Sequence, residues 1–309
     1  MPRKILITGG AGNIGGSLAR RFVVAPDTFV TIVDDLSTGS RDKLPSSQYR
    51  NWELIKANVN RRDEIAAIMI SRNFDYVFHY AAVVGVRRTL DNPRRVLDDI
   101  AGIENVLELS KNTAVKRIFF SSSSEVYGEP FEIPQREATT PLNSRLPYAV
   151  VKNLGEAFCR TYQQEFGLPY TIFRFFNTYG PLQSADFVIA KFLSAARLGR
   201  DIMIYGDGKQ TRTFCYISDN LDLTEALLNK GLAVNETLNV GSDVEMTILE
   251  LARAIVAFTG GVSKIVHMPP LAEGDMTRRC PDVSRMKEIL GKPLVSLDDG
   301  VRRTLAGEV

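Results

Sequence analysis

Six short runs rich in β-branched and aromatic residues punctuate the first 180 positions: "KILI", "FVTIVD", "WELIKA", "DYVFHY", "KRIFFSS" and "YTIFRFF". Between them, apolar residues recur at helical spacing over 13–24, 62–71, 93–112 and 148–166. Strand and helix alternating in this way predict βαβ units and an α/β fold with a parallel, doubly wound sheet. Beyond residue 180 the rhythm changes. Short strands are expected at 202–205, 213–217 and 237–240, with helices at 188–198, 220–229 and 248–258 and further helices near the C-terminus. Pro, Gly and charge clusters such as "MPPLAEGDMTRRCPD" interrupt this stretch. The expectation is a dinucleotide-binding domain over 1–180 and a smaller substrate-binding lobe over 181–309, with some exchange of chain between them.

Composition narrows the classes of function. A chain of 309 residues with 44% hydrophobic and 24% charged content has ordinary globular composition and buries a sizeable core. A net charge of +2 gives no basic footprint for nucleic acid. No apolar stretch approaches the length of a membrane span, and the run after "MPRK" stops at Gly9, too short for a secretory signal. Three widely spaced cysteines, Cys159, Cys215 and Cys280, are expected to be buried thiols in a cytoplasmic protein. The only histidines, His79 and His267, lack ligand spacing, so no metal site and no Ser-His triad is expected.

Three segments carry chemistry. "ILITGGAGNIGGSLARRF" sets Gly9, Gly12 and Gly15 between a strand and a helix, where glycines admit a pyrophosphate onto the helix N-terminus. A second strand ends in "VTIVDD", and Asp34 is placed to accept hydrogen bonds from an adenosine ribose diol while repelling a 2′-phosphate. That favours NAD over NADP. "LPYAVVKNLGEAF" places Tyr148 and Lys152 four residues apart on one helix face. A lysine cation beside a phenol lowers its pKa and makes a phenolate usable as a base near neutrality. "RIFFSSSSEVYGEP" adds hydroxyls and a carboxylate at a strand end, and strand alternation predicts that Ser123 and Glu125 share one face.

With these parts in order, the chain resembles the extended short-chain dehydrogenase/reductase family of nucleotide-sugar epimerases, dehydratases and decarboxylases. The resemblance covers nearly everything from Lys4 to about Leu305. It rests on "TGGAGNIGG", "VDDLSTG", "HYAA", "SSSSEVYG", "YAVVK", "RFFNTYGP" and "GDGKQTRTFCYISD". It implies tightly bound NAD contacted by Gly9, Gly12, Asn13, Ile14, Gly15, Asp34, Asn58, Val59, Ala81, Tyr148 and Lys152. Asn13 stands where the family has an aromatic residue, and Asn58 where it generally has an Asp that reads adenine. The resemblance makes Tyr148 the base, has Lys152 also touch the nicotinamide ribose, and gives Ser123 a role at the sugar O4. It assigns Asn177, Lys191, Tyr205 and Arg212 to the nucleotide diphosphate sugar, and implies a homodimer through a four-helix interface.

Family reactions begin with oxidation at C4, and the residues after Ser123 bear on the fate of the ketosugar. The pair Ser124–Glu125 resembles the UDP-glucuronate decarboxylases, as does Arg279, which matches an arginine near the sugar carboxylate. A 4,6-dehydratase needs an acid for the leaving hydroxyl, and a serine is a poor one. "HYAAVVGVRRTLDNP" is more similar to the epimerases, and Arg87 there also suits a uronate; Arg88 and Arg278 are expected to be solvated charges. The order of expectation is decarboxylase, then 4-epimerase, then dehydratase. A silent NAD-binding scaffold comes last, because silent relatives typically lose the Tyr or the Lys.

Overall fold

The computed structural model describes residues 2–270 and 278–308, without the side chains of Val86, Arg87 and Leu90. The chain forms two compact units. The first comprises residues 1–126, 145–174 and 224–238, the second 127–144, 175–223 and 239–309. A single cut at residue 180 therefore differs from the observed division in two segments. Residues 127–144 leave the first unit early, and 224–238 return to it late.

In chain order the first unit begins β1 (Arg3–Thr8), α1 (Asn13–Phe22), β2 (Thr28–Asp34), β3 (Trp52–Lys56), α2 (Arg62–Arg72) and β4 (Tyr76–His79). It continues with α3 (Val86–Asp91), α4 (Pro93–Leu97), α5 (Asp99–Asn112), β5 (Arg117–Ser123), α6 (Pro147–Phe166) and β6 (Tyr170–Phe175). The later elements are β7 (Thr178–Tyr179), α7 (Val188–Arg197), β8 (Ile202–Tyr205), β9 (Thr211–Thr213), β10 (Cys215–Tyr216), α8 (Ile217–Lys230) and β11 (Glu236–Val240). After them come β12 (Glu245–Thr247), α9 (Ile248–Phe258), β13 (Ile265–Met268), α10 (Ser284–Leu290) and α11 (Leu297–Ala306).

The main sheet has seven strands in the order β11-β6-β5-β4-β1-β2-β3. The pairs β1–β2, β1–β4, β2–β3 and β4–β5 are parallel. Its strands are apolar along both sides because both faces are covered. On one face Leu6, Val77, Ile118, Phe120 and Ile172 pack with apolar residues of α2, α5 and α6. On the other, Phe78 stacks on Phe119 at 4.4 Å between ring centres, and Phe119 on Phe173 at 6.0 Å. The order of strands reverses between β1 and β4, and in such sheets ligands bind at the carboxyl ends of the strands beside that switch.

Three expected elements differ in form. The helix expected over 93–112 is interrupted at Asp98, and α5 starts afresh with Asp99 in its first turn, where the positive end of the helix favours a carboxylate. The strand expected at 213–217 divides into β9 and β10, with Ile217 already opening α8. The strand near 237–240, expected in the smaller lobe, is the edge strand β11 of the main sheet. In the second unit, short pairs join β7 to β10, β8 to β13 and β9 to β12.

Candidate active site

The dinucleotide loop follows β1. Gly9 has φ of +70°, and a Cβ there would lie 2.6 Å from Ala81 N, in the turn that follows β4. Only glycine meets both conditions. Gly12 caps α1 with no side-chain hydrogen bond, so the first-turn N–H groups of Asn13, Ile14 and Gly15 lack intrahelical acceptors and face an incoming anion. Asn13 Oδ1 is buried with no protein partner. A pyrophosphate on this turn fits the three backbone N–H donors; Asn13 Oδ1, an acceptor, is not part of that set. Asp34 closes β2 and is nearly buried; its Oδ2 accepts from Ala11 N at 2.9 Å and its Oδ1 from Leu36 N at 2.8 Å. Burial raises its pKa against those two hydrogen bonds. Each oxygen keeps a second lone pair, to which a ribose diol can still donate. Asn58 is less open to adenine: its Oδ1 accepts from Asn60 N at 2.9 Å. Val59 is buried beside it, its carbonyl accepting from Asn105 Nδ2 at 3.0 Å. Ala81 N donates to Thr8 Oγ1 at 3.3 Å, and the same hydroxyl lies 2.9 Å from His79 Nδ1. Burial pushes His79 down to about 3, with the charge of Lys152 adding to the effect, so this imidazole is a neutral structural group.

The catalytic candidates of the first unit lie on α6 and at the end of β5. Tyr148 and Lys152 lie one turn apart on α6, with Lys152 Nζ 5.8 Å from the centre of the Tyr148 ring. Lys152 is 3% exposed; its Nζ donates to Ser121 Oγ at 3.3 Å and sits 5.2 Å from the Phe120 ring centre. Burial pulls its pKa down to about 8, and Asp99 acts in the opposite direction. Gly155, one turn on, lets α6 press against β5, since a Cβ there would overlap the Phe120 ring.

The strand-end serines depart from expectation in one respect. β5 stops at Ser123, and Ser124–Tyr127 form a 3-10 turn. Strand alternation therefore does not extend to Glu125, and the shared face predicted for Ser123 and Glu125 rests on no strand geometry. The turn instead links them through the backbone, Glu125 N donating to Ser123 Oγ at 3.2 Å. Ser123 and Ser124 are buried, and Glu125 is half-buried.

Sequence reasoning passed over Glu156. It lies one further turn along α6 and is fully buried, accepting from Ser122 Oγ at 2.6 Å, Arg174 Nε at 2.8 Å and Nη2 at 2.7 Å, and Arg160 Nη2 at 2.7 Å. Burial pushes this carboxyl up, but the hydrogen bonds and charges of Arg174, Ser122 and Arg160 outweigh it and hold the pKa below the ordinary value. The signal was present: Tyr148, Lys152 and Glu156 follow a four-residue stride, and Arg174 is the one charge in an otherwise apolar strand.

The second unit holds the other candidates. Asn177 has φ of +33° and donates from Nδ2 to Thr213 O at 3.0 Å, beside Arg212. Arg212 is buried and donates from Nη1 to Thr211 O at 2.7 Å. A parallel bridge pairs Thr211 with Arg278, which sets Arg212 and Arg279 at neighbouring positions. Arg278 is engaged by Glu245, its Nε donating to Oε1 at 2.7 Å, whereas Arg279 is 6% exposed. Lys191 Nζ lies 5.0 Å from the Tyr205 ring centre, so these two also come together. Arg88 donates from Nη1 to Val84 O at 3.2 Å; the Arg87 side chain lies outside the described residues. All three cysteines are free and buried. Among the described residues no group of three His, Cys, Asp or Glu is placed to hold a metal, and no helix is long and apolar enough to cross a membrane.

A doubly wound sheet with a glycine loop at its switch point and a Tyr–Lys pair one helical turn apart, its lysine buried, defines a Rossmann-type, dinucleotide-dependent enzyme. Residues 5–241 match the model of the NAD dependent epimerase/dehydratase family, and the chain belongs to that family. It is 36% identical over 99% of its length, and 97% of the relative's, to a UDP-N-acetyl-alpha-D-glucosaminuronate decarboxylase of Bacillus cytotoxicus. It is 32% identical to UDP-glucuronic acid decarboxylase 1 of Xenopus tropicalis, over 98% of this chain and 71% of that one. The crystal structure of a UDP-glucose 4-epimerase with UDP-glucose from Thermotoga maritima matches with a TM-score of 0.91 and 31% identity, covering 98% of this chain and 97% of that one.

Proposed function

We propose that the chain decarboxylates a UDP-hexuronate by transient oxidation at C4. The observation that carries the reading is the pair of buried guanidiniums, Arg212 and Arg279, at neighbouring positions in the second unit. Two buried like charges suit a ligand with more than one anionic group, and a nucleotide uronate offers both a diphosphate and a C6 carboxylate. Arg212 and Lys191 serve the diphosphate, with Asn177 and Tyr205 beside them, while Arg279 pairs with the carboxylate. The similarity to two uronate decarboxylases supports the same assignment.

Tyr148, as phenolate beside the Lys152 ammonium, removes the O4 proton, with Ser123 hydrogen-bonded to the same oxygen. Held by the glycine turn and Asp34, NAD would supply a hydride acceptor at C4 and the donor for its return. The resulting C4 ketone places the C6 carboxylate β to a carbonyl, so the C5–C6 bond breaks, carbon dioxide leaves and the electron pair moves into the carbonyl as an enolate. Protonation at C5 restores the ketone, which is then reduced to the UDP-pentose alcohol. Glu125 and Ser124 serve the step after oxidation. The epimerase with UDP-glucose, similar in fold across nearly the whole chain, supports 4-epimerisation as the second reading.

Mass spectrometry of products from UDP-glucuronate and UDP-N-acetylglucosaminuronate tests the proposal. Loss of carbon dioxide is expected; unchanged mass with inversion at C4 overturns decarboxylation in favour of the epimerase. Arg279→Met should cost about 10- to 100-fold in decarboxylation, the worth of a charge-assisted hydrogen bond of about 1.5–3 kcal/mol. A loss that falls equally on binding of UDP-glucose, which has no carboxylate, would remove Arg279 from that role.

The working form we propose is a homodimer. Val150 and Leu154, one turn apart on α6, are 47% and 37% exposed, and half-buried Phe158 lies one further turn along the same face. Such an apolar stripe is what a helical interface leaves uncovered in one protomer. Sedimentation at micromolar concentration tests it, a monomer overturning it.

A further inference from the structure

We propose that Gln135 is a specificity-determining residue for the uronate: its carboxamide donates from Nε2 to the C6 carboxylate that Arg279 pairs with. The inference deepens the decarboxylase reading above and rests on it. Gln135 lies in the second unit and is 0% exposed. Its backbone is fully engaged: N donates to Cys280 O at 2.8 Å, and O accepts from Asp282 N at 2.8 Å and from Asn239 Nδ2 at 2.9 Å. Its side chain is the reverse. Neither Oε1 nor Nε2 has a hydrogen-bond partner among the described residues. A buried amide with both ends unmet bears the full cost of its desolvation, which a polar group arriving with a ligand relieves.

The register of the neighbouring segments fixes which way this carboxamide faces. Across β9 and β12, Thr213 pairs with Glu245, and Thr211 Oγ1 donates to Glu245 Oε1 at 3.0 Å. Arg278, bridged in parallel to Thr211, donates to the same carboxylate from Nε at 2.7 Å. Thr211, Thr213, Glu245 and Arg278 therefore share one face. Successive residues of an extended chain alternate faces, so Arg212 and Arg279 lie together on the other. Pro281, two residues after Arg279, belongs to that second face, and a parallel bridge pairs it with Gln135. Arg212, Arg279 and Gln135 thus make one polar face, and all three are buried. A carboxylate suits this arrangement. The planar guanidinium of Arg279 can pair with it in bidentate fashion, and Gln135 Nε2 donates to the same group from alongside, leaving Oε1 to accept from a guanidinium N–H. The hydroxymethyl group of a hexose carries no charge, so the same amide N–H is worth less to it.

UDP-sugars that differ pairwise only at C6 test the assignment: UDP-glucuronate against UDP-glucose, and UDP-N-acetylglucosaminuronate against UDP-N-acetylglucosamine. Binding is measured by titration calorimetry on the holoprotein in the Tyr148→Phe background, which suppresses turnover. Gln135→Met, close in volume and without polar ends, is expected to weaken the uronates by about tenfold or more, the scale of one hydrogen bond to a charged group, and to leave the hexoses within about twofold. Its thermal unfolding midpoint should be unchanged or raised, because an apolar group of the same shape removes the unmet amide. Gln135→Glu keeps the acceptor but turns the donor into a negative charge. It should weaken the uronates further than Gln135→Met while sparing the hexoses, and it carries the same comparison should Gln135→Met not fold. Unchanged uronate affinity in the variant, or equal loss on uronate and hexose, overturns the inference. An amide that serves only an enclosed water or the packing of its segment gives one of these results. A parent that binds neither uronate overturns the inference and the decarboxylase reading together. The calorimetry needs no catalysis. Selective loss on the uronates, in a protein whose Tyr148 parent releases no carbon dioxide, would fail the decarboxylase reading and leave the role of Gln135 standing; carbon dioxide release without selective loss would do the opposite.

Discussion

Tyr148→Phe is expected to lower turnover by about 10²–10⁴-fold while leaving the fold and the retained dinucleotide unchanged. The variant removes one oxygen. Phenylalanine keeps the ring that packs against the apolar core and lies near Lys152 Nζ. What disappears is the group on that face able to take the O4 proton; the neighbouring lysine is already protonated below about pH 8 and is 3% exposed. The loss should reach the upper end of the range, because Tyr148, Lys152 and Ser123 act together and residues that act as a unit are not additive. Single-turnover absorbance of the reduced dinucleotide checks the step itself. Oxidation of the sugar at near-parent rate in this variant would exclude Tyr148 as the base.

Glu156→Ala is expected to destabilise the first unit by about 3–5 kcal/mol, the cost of breaking a buried ion pair by removing one partner. Arg174, 2% exposed, would keep its charge without the carboxylate that accepts both its Nε and Nη2, and Ser122 would lose its acceptor. Replacing both partners, Glu156→Met with Arg174→Met, should cost less than either single change, because the uncompensated charge goes with its partner. Urea denaturation of the singles and the double measures this, and a Glu156→Ala change under about 1 kcal/mol would contradict it. The pH dependence comes from the same contacts. The folded pKa of Glu156 is depressed, so its contribution is fully present above the ordinary carboxylate value and is lost as pH falls through the lower folded one. Parent protein should therefore lose stability towards acid more steeply than the double variant.

Much of the first unit was legible because its signals are local. The runs around Ile5, Val30 and Ile118 are apolar for the length of a strand, and Gly9, Asp34, Tyr148 and Lys152 declare themselves by spacing. Where expectation and structure part, the deciding interaction is distant in sequence. Nothing near Thr237 indicates that β11 joins β6, since that pairing is made by a strand far earlier in the chain. The break at Asp98 accompanies a carboxylate at Asp99 engaged by Val83 and Asn60. The end of β5 was misjudged for a different reason: "SSSSEVYG" has no apolar rhythm to say where extension yields to a turn. Glu156 was overlooked because a charged residue on an amphipathic helix ordinarily faces solvent, and its buried state depends on Arg174, 18 residues on.

The late return of 224–238 has a consequence for synthesis of the chain. A nascent polypeptide that has emerged only through residue 180 possesses the glycine loop, the Tyr–Lys helix and six of the main sheet's seven strands, yet β6 stands at the border of the sheet with its outer N–H and C=O groups unsatisfied. Arg117, buried in the finished protein, meanwhile waits for the carbonyls of Leu232 and Ala233. An open strand edge beside a guanidinium still short of these two carbonyl acceptors is a place where a partly made chain pairs with its neighbours on the same message. Completion of the catalytic unit is thus governed by the ribosome's arrival at the far side of residue 238.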